Sequence, residues 1–106
     1  ISSEGLGVVH DPALRARVLD VRRAAVFEQS DALVAGAEWR DPAQVGTWAA
    51  QLPKDEPVVV YCVYGHEVGR ATAMRLRAAG IDARFLIGGF DGWRSQGRPL
   101  APKPGR

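Results

Sequence analysis

The chain has 106 residues, 46% apolar and 25% charged: a length for one domain and a balance close to that of soluble globular proteins, which excludes whole-chain disorder. No apolar run approaches the roughly 18 residues of a membrane helix, and the first residues show neither the basic nor the apolar stretch of a secretory signal. Fourteen basic against twelve acidic side chains leave +2, too little and too scattered to call for nucleic acid or a membrane surface as partner.

In chain order, residues 1–9 are compatible with an edge strand or a helical turn, and Asp11-Pro12 can start a short helical turn. Val18-Leu19-Asp20-Val21 predicts a short strand, Arg23 to Gln29 a short helix, and Ala37-Glu38-Trp39 a brief second strand. Asp41-Pro42-Ala43-Gln44 is a helix start with Gln44 three residues after the cap. Val45, Trp48, Ala49 and Leu52 then recur at i, i+3, i+4 and i+7, one helical face that Pro53 closes. Val58-Val59-Val60-Tyr61 lacks polar alternation, so it reads as a strand covered on both faces, as in a parallel sheet. Val68 to Ala79 predicts a helix stopped by Gly80. Arg84-Phe85-Leu86-Ile87 is the next strand, Gly88-Gly89 a turn, and Phe90 to Gln96 a terminal helix ended by Gly97. Residues 99–106, with three prolines, read as an extended tail or linker after a domain spanning 1–98. Strand and helix alternate, which predicts an α/β domain with a mostly parallel sheet and helices on both faces.

Cys62 is the single cysteine. It cannot form an internal disulfide, and with two histidines a zinc site is not expected. A lone cysteine suits a reducing compartment, so a cytoplasmic location is expected. It sits directly after the strand 58–61 and before a loop and helix. In open α/β sheets ligands bind at the carboxyl edge of the strands. A strand–loop–helix turn there gathers backbone N–H groups and the positive end of the helix around one point. Both favour a thiolate over a thiol. The alternative is a buried cysteine that merely ends the strand. Asp20 and Arg22, at the carboxyl end of their own strand, read either as an electrostatic support for this loop or as a local ion pair. Tyr64 reads as a pocket wall or as packing, and His66 as a donor to the sulfur or a solvated side chain. Trp39, Trp48 and Trp93 read as core or rim packing, and His10 and Met74 as structural.

Three segments together resemble the signatures of the rhodanese domain: Leu19-Asp20-Val21-Arg22, the strand running into the Cys62 loop, and Gly88-Gly89-Phe90-Asp91-Gly92-Trp93. Their order and spacing fit, and the likeness covers nearly the whole chain. The loop text CVYGHEV further resembles a rhodanese subset found near chromate-resistance proteins. The resemblance implies a four- or five-stranded, mostly parallel sheet and a sulfurtransferase with Cys62 as nucleophile. It implies a persulfide formed from a donor such as thiosulfate, an acceptor that is cyanide, a small thiol or a protein thiol, and no cofactor. The groups around the persulfide would be Val63, Tyr64, Gly65, His66, Glu67 and Val68, with Asp20 and Arg22 in support.

Two departures from the family are visible. Many members carry Arg or Lys in the loop, where this chain has His66 and Glu67. A carboxylate there repels an anionic donor, so weak affinity for thiosulfate is expected unless Glu67 turns outward to pair with Arg70. The family's His-Ile-Pro-Gly-Ala segment is here Leu33-Val34-Ala35-Gly36-Ala37. A phosphatase of similar fold needs an arginine at the sixth position after the cysteine to clamp phosphate, and that position holds Val68. A non-catalytic module that carries sulfur or senses an oxyanion is the remaining alternative.

Overall fold

The computed structural model describes residues 17–63, 67–86 and 88–103; the expectations for residues 1–9 and for Asp11-Pro12 lie outside them. Four strands form a parallel sheet in the order β3-β1-β4-β5: β1 (Arg17–Asp20), β3 (Glu38–Trp39), β4 (Val58–Tyr61) and β5 (Ala83–Phe85). The register places Leu19 opposite Val60, and Val60 opposite Phe85. A separate antiparallel ribbon joins β2 (Ala32–Val34) to β6 (Leu100–Pro102). The helices are α1 (Ala24–Gln29), α2 (Val45–Trp48), α3 (Glu67–Ala78) and α4 (Gly89–Ser95).

The uniformly apolar β4 is buried at every position, because its two faces serve two different cores. Val58 and Val60 point with Leu19 into a cluster with Val45, Trp48, Leu52, Ala73 and Leu76, under α2 and α3. Val59 and Tyr61 point with Val18 into a second cluster with Leu33, Val34, Leu86, Phe90 and Trp93, under α4 and the ribbon. The period-two alternation of a strand makes one short run do both jobs. This is the α/β architecture with helices on both faces that the sequence predicts.

Two segments differ from expectation. The face Val45, Trp48, Leu52 is buried as predicted, but the backbone is a 3-10 turn (Pro42–Gln44), one α-helical turn and another 3-10 turn (Ala49–Gln51). Gly46 and Thr47 at its centre are poor helix formers, and tertiary packing keeps the face without a continuous helix. Asp41 does cap the start, accepting from the Ala43 N–H at 2.9 Å. Residues 100–102, expected in the tail, are extended but paired with β2. Around them Trp93 donates to the Pro99 carbonyl at 2.7 Å, and the buried Lys103 ammonium donates to the Phe27 carbonyl at 2.7 Å.

The remaining stops are as read. Gly80 and Gly97 have φ of 89° and 70°, left-handed conformations that let the chain leave α3 and α4 without a Cβ clash. Trp48 and Trp93 are buried and Trp39 half-buried. Met74, read as structural, stands exposed on α3.

Candidate active site

The carboxyl edge of the central strand sets the site. β4 ends at Tyr61, Cys62 follows, and α3 begins at Glu67. Cys62 is buried, 7% exposed, and its Sγ lies against the first turn of α3. A Cβ built on Gly69 would stand 3.3 Å from Sγ and 3.4 Å from the Cys62 amide nitrogen. Gly69 is therefore the residue that makes room for the sulfur, and sequence reasoning missed it. Its signal was present: a glycine inside an alanine- and arginine-rich helix costs up to about 1 kcal/mol relative to alanine, and such a cost calls for a packing reason. A twelve-residue helix brings the positive end of its dipole to this spot.

The other side of the loop is held by α4. The N–H groups of Phe90 and Asp91 donate to the carbonyls of Cys62 and Val63, both at 2.8 Å. Leu86 is joined to β4 through its N–H to the Val60 carbonyl. The helix that follows β5 is thus hydrogen-bonded to the two residues that follow β4.

Asp20 and Arg22 form a buried ion pair, 0% and 2% exposed. Arg22 Nε and Nη2 donate to the Asp20 carboxylate at 2.9 and 2.6 Å, and the Arg22 amide donates to it at 3.0 Å. The Tyr61 hydroxyl donates to the same carboxylate at 2.9 Å and accepts from the Val34 N–H at 2.9 Å. Arg22 also donates to the Ala32 carbonyl at 2.8 Å. Burial, and then the Asp20 charge, push the Tyr61 phenol well above its ordinary range, so it remains a donor. The Arg22 guanidinium lies over the Phe90 ring at 4.2 Å from the centroid. The pair therefore reaches the Cys62 loop at one remove, through Phe90, and ties β1 to the ribbon on the way. Sequence reasoning named Asp20 and Arg22 but not Tyr61, whose place in a strand of valines signalled only packing.

Of the other expected site residues, Val63 and Val68 are half-buried at the two ends of the loop. Glu67 is the first residue of α3. Tyr64, Gly65 and His66 lie outside the described residues.

The rhodanese-like domain family model matches residues 8–96. A thiosulfate sulfurtransferase GlpE of Actinobacillus pleuropneumoniae serotype 5b is 32% identical over 94 residues, covering 88% of this chain and 82% of the relative. A protein of the same name from Pseudomonas aeruginosa LESB58 is 31% identical over 80 residues, covering 76% and 71%. Among solved structures, a rhodanese-like domain protein from Staphylococcus aureus superposes with a TM-score of 0.81 at 22% identity, over 97% of this chain and 96% of that one. A full-length protein from Lactobacillus plantarum gives 0.85 at 24% identity, covering 97% and 87%. The chain belongs to the rhodanese-like domain family, and its relatives place it among the sulfurtransferase-like members.

Proposed function

We propose that the protein is a sulfurtransferase that carries a sulfane sulfur on Cys62. The observation that carries this reading is the seat of Sγ at the end of the central strand, against the first turn of α3 and beside a glycine that leaves it room. Cys62 Sγ, as thiolate, attacks the outer sulfur of a donor such as thiosulfate. The new S–S bond forms as the donor's S–S bond breaks, and sulfite leaves with the bonding pair. An acceptor then attacks the outer sulfur of the persulfide and returns the pair to Sγ. The two half-reactions share one site, so double-displacement kinetics are expected. Cys62 is the single cysteine of these 106 residues, so none of their other side chains offers a thiol to receive the sulfur.

The test is intact-protein mass after incubation with thiosulfate and, separately, with a thiol persulfide. A gain of one sulfur that cyanide removes supports the proposal. No adduct from any donor overturns it and leaves a module without transfer chemistry.

Gly69→Val is expected to lower kcat roughly 100-fold, the scale of a displacement of about 1 Å at a reacting atom. The branched side chain competes directly with Sγ and the Cys62 amide for space. Steady-state kinetics with a denaturation curve alongside check it, because the fold should persist while turnover falls.

Glu67→Arg is expected to raise kcat/KM for thiosulfate roughly five- to tenfold. That corresponds to about 1 kcal/mol from replacing a repulsive charge at the start of α3 with an attractive one, partly screened by water. A rise confined to low ionic strength is part of the expectation; no rise would show that the charge at residue 67 does not govern donor choice.

A further inference from the structure

Two cavities of about 550 and 480 Å³ share Val45 and Arg75, and so form one trough along α3. One wall is a single helical face, Val68, Ala71, Thr72, Arg75 and Ala78, at i, i+3, i+4, i+7 and i+10. The facing wall starts at Arg23 and Ala43 and runs past Gly46 and Ala50 to Lys54. Small side chains on both walls keep the space open. The Arg75 guanidinium lies across it, 3.8 Å from where a Cβ on Gly46 would stand. Neither Cys62 nor Gly69 lines the trough, so it is a site apart from the sulfur.

Thr72, on the inner wall, is only 4% exposed. Among the described residues its hydroxyl has no hydrogen-bond partner, and the residue lines the trough. A buried polar group is costly to leave unmatched, and an acceptor brought by a ligand removes that cost. The charges point the same way. Among the described residues, the basic side chains with neither an ion pair nor a hydrogen bond are Arg23, Lys54, Arg70 and Arg75, and all but Arg70 line the trough. The one acid on its walls, Asp41, accepts from the Ala43 N–H. Arg23 belongs to one cavity, Lys54 to the other, and Arg75 to both.

We propose that this trough docks an acidic segment of another protein, laid extended along α3 with carboxylates on Arg23, Arg75 and Lys54 and an oxygen accepting from the Thr72 hydroxyl. The face from Val68 to Ala78 is about 15 Å long, the span of about five extended residues and too long for one small anion. In an extended segment, acids at alternate positions point to one side and small residues to the other. Matching unpaired cations with such a row is the usual source of selectivity at a charged interface. The inference stands whether or not Cys62 carries sulfur.

The probe is the hexapeptide acetyl-(Glu-Ala)3-amide, titrated into the isotopically labelled chain while amide resonances are followed. Shifts are expected along residues 68–79 and 42–50, with saturation at roughly millimolar peptide and weaker binding at high salt. Arg75→Glu should weaken binding about tenfold and Thr72→Val about fivefold. Arg70→Glu, the same charge change on the same helix but outside the trough, should alter it less than twofold. The exposed arginine variants should keep the parent's dispersed spectrum, so they decide the matter even if Thr72→Val perturbs the fold. Absence of shifts at about ten times that concentration overturns the proposal. So do equal losses in the Arg70 and Arg75 variants, which would mean general attraction between opposite charges. Glutarate binding as tightly as the hexapeptide overturns it too, by assigning the trough to a small dicarboxylate.

Discussion

Cys62→Ala is expected to reduce sulfur transfer to the uncatalysed background, a fall on the order of 1,000-fold or more, as loss of a covalent nucleophile does elsewhere. The same protein should gain no sulfur by mass from any donor. Nothing else in the chain can substitute, because the sequence contains no second cysteine. The fold should survive. Cys62 is small, lies at the end of its strand, and its carbonyl, which accepts from the Phe90 N–H, is main chain and unaffected. Removing one buried sulfur costs about 1 kcal/mol, which a urea titration resolves. Cys62→Ser, close in size, separates the chemistry from the packing: equal loss of transfer with a smaller loss of stability is the expected pattern. Retained transfer in either variant would remove Cys62 from the mechanism.

Asp20→Ala is expected to destabilise the protein by about 3–5 kcal/mol, the cost of leaving a buried cation unpaired. That is a large part of the 5–15 kcal/mol that holds a domain of this size together. Three groups lose an acceptor at once: the Arg22 guanidinium, which keeps only the Ala32 carbonyl, the Arg22 amide and the Tyr61 hydroxyl. A companion variant with Arg22→Met added should recover part of the loss, because the penalty comes from the stranded charge. Denaturation midpoints of the two variants decide the matter. A single variant no less stable than the parent would mean that the pair contributes nothing to the fold. Because Arg22 lies over the Phe90 ring and the Phe90 N–H holds the Cys62 carbonyl, surviving Asp20→Ala protein should also transfer sulfur more slowly.

Legibility followed range. β4 was plain because Val58 to Tyr61 must be apolar on both sides to serve two cores, and a continuous run announces that locally. The ends of α3 and α4 were plain because Gly80 and Gly97 carry their own conformational signal. The ribbon was not. Ala32 to Val34 is three residues long, and its partner lies inside the proline-rich segment 99–106, so only the pairing across about 68 positions makes either segment a strand. The segment 42–51 misled through its face: burial of Val45, Trp48 and Leu52 was right, while the backbone between them followed glycine and threonine rather than helical regularity. At the site, the position of Cys62 was readable from the order strand, cysteine, loop and helix. Gly69 and Tyr61 act through contacts that appear only when α3 folds back on β4 and when β2 arrives beside it. The Asp20–Arg22 pair was visible as two residues on one strand end, but its reach through Phe90 to the loop was not.

The two hydrogen bonds from α4 also give the main chain around the sulfur a direction. With the Cys62 carbonyl committed to the Phe90 N–H, the planar trans peptide that joins Cys62 to Val63 aims its own N–H away from α4. Its oxygen cannot swing round to greet a cation, since that would strand the Phe90 amide. The main chain between Cys62 and Val63 therefore turns a hydrogen-bond donor, not an acceptor, to the side away from α4, and because the backbone fixes this, exchanging side chains along the loop leaves it unchanged.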